Sequence, residues 1–123
     1  MNEPGLAQQL LESARTIAVV GYSDKPDRPV SSVSEYLRSR GYRTIPVNPR
    51  LRGRVVDGDR SYDRLVDIPK DVRVDLVDVF RRGEFLDAVV DDAIAAGVPA
   101  IWFQFGLGNV EAAERAARSG LKV

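Results

Sequence analysis

The stretch TIAVVGYSDKPDRP, residues 16–29, restricts the chain to very few folds. An apolar run, Ile17-Ala18-Val19-Val20, stops at Gly21. A polar loop with two prolines, Pro26 and Pro29, follows, and a helical pattern opens near Val30. A short β-rich run, a glycine and a helix start, in that order, describe the first strand-loop-helix turn of a doubly wound α/β domain. In that architecture ligands sit beyond the carboxyl ends of the strands, and the first loop commonly holds a phosphate at a helix N-terminus.

The remaining segments fit the same plan. Pro4 suits a first helical position, and Leu6, Leu10 and Leu11 form a stripe, so residues 4–14 are expected as an opening helix packed on the sheet. After a strand over 16–20, a helix is expected over about 30–40 with Val30, Val33 and Leu37 inward. Ser32 and Glu35 have capping-box spacing, while Asp27 or Arg28 before Pro29 is the alternative start. Gly41 ends this helix. A second strand over 42–47 closes at Asn48-Pro49, and residues 53–58 form a short edge strand or an irregular connector. Residues 62–68 predict about two turns of helix, ended by Pro69. A third strand spans 74–80, and a helix over 84–96 buries Leu86, Val89, Val90, Ala93 and Ile94 before Gly97. A fourth strand over 100–105, a helix capped by Asn109 and ending near Ser119, and the start of a fifth strand at 121–123 complete the chain. The whole predicts one domain over 1–123, a Rossmann-like doubly wound parallel sheet in three α/β/α layers with right-handed crossovers.

Composition narrows the function. A chain of 123 residues that is 44% hydrophobic and 29% charged supports one soluble core. No apolar run approaches the ~20 residues of a membrane span. The acidic, glutamine-bearing N-terminus is unlike a secretory signal, so a cytoplasmic protein without membrane attachment is expected. Cysteine and histidine are absent, which removes disulfides, thiolate metal sites and the commonest general base. A net charge of zero speaks against non-specific nucleic-acid binding. The charges are nevertheless segregated: six arginines lie between Arg38 and Arg54 with no acid among them, and seven aspartates lie between Asp57 and Asp78. Either these form a solvated mixed surface or some arginines build an anion site.

A dinucleotide fingerprint from Gly21 requires glycine at positions 23 and 26, where Ser23 and Pro26 stand. The acid that would hold a ribose at the end of the second strand is replaced by Asn48-Pro49-Arg50. Both features argue against NAD, and Walker A spacing is missing too. Phosphate remains well served by Ser23, by the amides at the helix start, by Arg28 and by Arg50. An arginine just past the second strand favours a phosphorylated ribose over a bare one. Ordinary surface charge is the alternative for both arginines. Catalysis has little equipment: the serines lack a base, Asp75 and Asp78 fall on opposite strand faces, and Asp91-Asp92 reads as a solvated pair. A non-catalytic binding module is expected.

Four strand-end motifs occur in order: Gly21-Tyr22-Ser23 with Pro26-x-Arg28-Pro29, Pro46-Val47-Asn48-Pro49, Asp78-Val79-Phe80-Arg81-Arg82, and Trp102-Phe103-Gln104-x-Gly106. In this set, over nearly its whole length, the chain resembles the small stand-alone CoA-binding proteins related to the CoA-binding domain of the succinyl-CoA synthetase alpha subunit. The resemblance implies that coenzyme A or acyl-CoA lies across the strand tops. Gly21, Tyr22, Ser23, Lys25, Pro26, Arg28 and Pro29 would then hold the pyrophosphate. Val47, Asn48, Pro49 and Arg50 would flank the adenosine and its 3′-phosphate. Val79, Phe80, Arg81 and Arg82 would line the adenine or pantetheine side, and Gln104 and Gly106 the pantetheine arm. Core packing is the competing assignment for Val79 and Phe80, and the preferred one for Trp102 and Phe103. Members of that family usually continue into a last strand, an aspartate-arginine-cysteine segment and a histidine, whereas this sequence stops at Val123. Either it is cut there or this member lacks the tail; a missing strand would expose backbone amides and apolar side chains of the last helix, with dimerisation or poor stability as the expected result. A homodimer or an unidentified partner enzyme is the expected protein partner. An NADP-binding redox or regulatory domain, and an interaction module with no physiological small ligand, are the rival readings.

Overall fold

The computed structural model describes residues 15–23, 29–80, 85–103 and 110–123. Strand β1 (Thr16–Val20) is buried over four of its five residues, as expected of a parallel strand covered on both faces. It pairs with β2 (Arg43–Val47) on one side and with β5 (Leu76–Val79) on the other. A strand β6 (Ile101–Phe103) extends the sheet beyond β5, giving the order β2-β1-β5-β6, all parallel. Single bridges lengthen both edges: Tyr62 pairs with Val47 beside β2, and Lys122 pairs with Ala100 beside β6. From β1 at the centre the chain steps outward through β2 to Tyr62, and returns to the other side of β1. That reversal is the topological switch point of a Rossmann-like sheet.

Alternation along β1 sends Ala18 and Val20 to one face, and Ile17 and Val19 to the other. The first face is covered by α2 (Leu86–Ala96) and α3 (Val110–Arg118), through Leu86, Val90, Ala93, Ala112, Ala113 and Ala116. The second face packs α1 (Pro29–Ser39) through Val30 and Leu37. The three-layer α/β/α arrangement expected from the sequence is the one observed. Gly41 (φ +91°) and Gly97 (φ +71°) end α1 and α2 in the left-handed conformation that glycine adopts without a Cβ clash.

Several local expectations need correction. Residues 62–68 do not make two turns of helix. Tyr62 is drawn into the sheet edge, where its N–H donates to the Pro46 carbonyl at 3.0 Å, leaving only a 3-10 turn over Leu65–Asp67. The same geometry explains Pro46 inside β2: its ring nitrogen points away from β1, so no ladder bond to the central strand is lost. Residues 53–58 contribute to a hairpin of β3 (Val55–Val56) and β4 (Asp59–Arg60), closed by Asp57 (φ +52°) and Gly58 (φ +88°). Two left-handed residues of Asp-Gly type match the twist of the flanking strands. Helix α1 starts at Pro29, so Ser32 lies inside it and caps nothing. Ile94 is 36% exposed rather than inward. The Asp91-Asp92 pair is split: Asp92 is buried against Arg64, while Asp91 pairs with Arg115 across to α3. The third strand is shorter than expected, and the fourth begins at Ile101; residues 104–105 of the fourth, the opening helix over 4–14 and the Asn109 cap lie outside the described residues. The 121–123 segment does begin a further strand position, with the Ile101 N–H donating to the Lys122 carbonyl at 2.8 Å.

Candidate functional site

Register brings the four strand ends level. Val20 stands opposite Val47 and Val79, and Val79 opposite Phe103. The residues just beyond them, Gly21, Asn48 and Phe80, therefore share one rim of the sheet, at the switch point between β1 and β5. Two backbone bonds lace the rim: the Gly21 N–H donates to the Val47 carbonyl at 2.9 Å, and the Phe80 N–H to the Val20 carbonyl at 2.8 Å.

Gly21 (φ +86°) turns the chain off β1 in the left-handed region, where a side chain would be strained. Ser23 is tied to the first turn of α1, because the Ser31 hydroxyl donates to its carbonyl at 3.0 Å. The first turn of α1 carries no acidic residue of its own. Asn48 joins the first two loops. Its Nδ2 donates to the Tyr22 carbonyl at 2.8 Å, and its Oδ1 accepts the Arg50 N–H at 3.0 Å. The second bond caps a 3-10 turn over Pro49–Leu51, and buried Leu51 pins that turn to the core. Arg50 is thereby displayed on the rim, exposed, and without an ion-pair partner among the described residues.

The other basic residues of this region are partly committed elsewhere. Arg38 pairs with Asp57 at 3.2 Å and Arg43 with Asp59 at 2.7 Å, so the aspartate-rich block neutralises part of the arginine-rich one. The question posed by the charge segregation resolves in two parts. These two arginines form ordinary ion pairs, while Arg50 stands at a strand end.

Three expected ligand-lining residues turn their side chains inward. Val47 and Val79 belong to the core, and Tyr22 is only 4% exposed, with its hydroxyl donating to the Asp57 carboxylate. These three can offer a rim ligand their backbone only. Burial first, and the Asp57 contact second, push the Tyr22 phenol above its ordinary pKa, with Arg38 opposing them. Asp57 is the partner that sequence reasoning missed; an Asp-Gly dipeptide is a turn signal that could have placed the hairpin, but nothing local says that its carboxylate reaches Tyr22. Phe80 and Trp102 pack half-buried on the α1 face, and Phe103 on the other, in keeping with the core assignment of the two β6 aromatics. Pro29 opens α1. Lys25, Pro26, Arg28, Arg81, Arg82, Gln104 and Gly106 lie outside the described residues.

A groove of about 680 Å³ lies between residues 65–74 and 95–99. Its walls precede β5 and β6, which puts it at the amino ends of those strands, opposite the rim where ligands of such sheets bind. Among the described residues no group of histidine, cysteine, aspartate or glutamate could hold a metal ion. No helix among them is long and apolar enough to cross a membrane.

Residues 15–123 match the family model of the CoA binding domain, and the chain belongs to that family. It is 37% identical over 125 residues to YneT of Bacillus subtilis (strain 168), described as uncharacterized, covering all of this chain and 90% of that protein. Among solved structures, the Thermus thermophilus protein cell-free ID.343 superposes with a TM-score of 0.88 at 35% identity, covering all of this chain and 90% of the other. A dinucleotide-forming acetyl-coenzyme A synthetase of Ca. Korarchaeum cryptofilum, in complex with phosphate and ADP, has a region similar to this chain. The TM-score is 0.70 at 28% identity, over 97% of this chain and 25% of the synthetase. The small stand-alone family expected from the four motifs is the family found.

Proposed function

We propose that this protein binds coenzyme A or an acyl-CoA across the carboxyl-end rim of β2, β1 and β5, in the cytoplasm, without catalysing a reaction on it. The observation that carries this reading is the match of residues 15–123 to the CoA binding domain, on a chain whose rim exposes Arg50 beside an Asn48-braced loop. The pyrophosphate would lie over Gly21–Ser23 and the start of α1, where backbone amides and the helix end favour negative charge. Arg50 would take the 3′-phosphate, since a guanidinium on a phosphate makes a strong charge-assisted contact. The ligand side also draws on Lys25, Pro26, Arg28, Arg81, Arg82, Gln104 and Gly106 as the family resemblance implies. A non-catalytic role is supported by the absence of histidine and cysteine from the sequence. The protein would sense the coenzyme or deliver it to a partner enzyme.

Titration calorimetry with CoA, dephospho-CoA and NADPH tests the assignment. CoA bound more tightly than dephospho-CoA and NADPH is the expected result. A preference for NADPH would turn the reading toward a redox or regulatory domain, which an arginine after β2 also suits. Silence from all three would leave an interaction module.

A further inference from the structure

We propose that Tyr22 is a positioning residue for the coenzyme: its side chain is a strut, footed on Asp57 and Arg38, that fixes the Gly21–Ser23 loop against the phosphates. This inference rests on the function proposed above. A loop residue placed right after the turn at Gly21 needs no large side chain for the turn itself. Yet the Tyr22 ring is driven into the α1-side core with Leu37 and Leu51. Its hydroxyl donates to Asp57 Oδ2, and the same oxygen receives Arg38 Nη1 at 3.2 Å. Arg38 is steadied in turn by the Thr44 hydroxyl, 3.4 Å from its Nη1.

The foot is rigid for a backbone reason. Asp57 occupies the first position of a two-residue hairpin turn at φ +52°, so its carboxylate is carried by a fixed corner. At the other end of the same residue, Asn48 Nδ2 holds the Tyr22 carbonyl at 2.8 Å. A residue gripped at its carbonyl and at its phenol cannot rotate its peptide planes, so the amides on either side keep one orientation. Preorganised amides bind an anion without a further ordering cost. The β3–β4 hairpin has no place in the doubly wound plan, and carrying Asp57 gives it a role in the site. A phenol is protonated at physiological pH in any case, and burial and Asp57 push its pKa further up, so the donor is present there.

Tyr22→Phe keeps the ring and cuts the foot; Asp57→Asn alters it from the other side. The test measures amide hydrogen exchange at residues 21–23 and the calorimetric Kd for CoA, at a temperature where circular dichroism shows each variant folded. Each variant is expected to speed exchange there about 10-fold and to weaken CoA about 5- to 10-fold. The double variant is expected to be no worse than the worse single one, because both changes cut one link. Val90→Ala, which thins the core on the other face of the sheet and so leaves the Tyr22 ring and its foot untouched, is expected to lower stability and keep the wild-type Kd. Unchanged exchange in Tyr22→Phe overturns the proposal, as does faster exchange with a wild-type Kd, or a loss of affinity in Val90→Ala equal to that in Tyr22→Phe. Wild-type protein that fails to bind CoA sinks the proposed function and this role with it, whereas a wild-type Kd retained by Tyr22→Phe sinks the strut alone.

Discussion

Arg64 grips Asp92 with two parallel contacts, Nε to Oδ2 at 3.1 Å and Nη2 to Oδ1 at 2.6 Å, tying the turn before Leu65 to the inner side of α2. The partners are unequally buried: the Asp92 side chain is 12% exposed and the Arg64 side chain 64%. Removing the arginine leaves a carboxylate out of water and unpaired, while removing the charge at position 92 lets the guanidinium return to solvent. Arg64→Met is therefore expected to lower the thermal midpoint more than Asp92→Asn does. Circular dichroism melts of both variants check this, and an equal or reversed order contradicts it.

Arg50→Ala should remove most of the preference for CoA over dephospho-CoA. A charge-assisted hydrogen bond contributes on the order of 1.5–3 kcal/mol, or roughly 10-fold or more in affinity. Dephospho-CoA binding should change little. A preference that survives the substitution would place the 3′-phosphate elsewhere.

Alkaline titration should reveal the Tyr22 phenol. Its pKa is raised in the folded protein above the ordinary 10.0. Between the two values the folded chain keeps a proton that the unfolded chain has released, so stability falls as pH rises through that window. The stabilisation is complete below about pH 10 and is lost above it. Urea midpoints followed from pH 8 to 11 should decline more steeply for wild type than for Tyr22→Phe. Parallel curves would refute the shift.

Ile101 and Ile94 separate a core position from an edge. Ile101 is fully buried between the helices and β5, whereas Ile94 is 36% exposed. Ile101→Ala is expected to destabilise by about 2–5 kcal/mol, and Ile94→Ala by well under half of that. Denaturant unfolding of the two variants under one condition decides the point.

What local sequence carries, it carried well. The run before Gly21, the inner face of α1 and the stops at Gly41 and Gly97 are each set within a few neighbouring residues, and all stand as expected. Non-local partners defeated the rest. Tyr62–Ile68 has helical spacing, but Tyr62 finds an edge of β2 and joins it, since a ladder bond outcompetes one short helical turn. Asp92 was taken for solvated because Arg64, the group that makes its burial tolerable, sits 28 residues earlier. In the site, strand-end backbone positions were legible from the glycine and the Asn-Pro step. Side-chain direction was not, because the Tyr22 ring is oriented by Asp57, 35 positions away.

The central strand has a bearing on how the chain is made. Ile17 aligns with Thr44 on one side but with Leu76 on the other, so β1 finds its second neighbour only after 59 residues have been synthesised past it. Pairings this distant are slow to close, since chain entropy is lost well before contacts reward it. On the ribosome the β1–β2 half can assemble first and must wait with one apolar edge uncovered. A chaperone would be most useful in that interval.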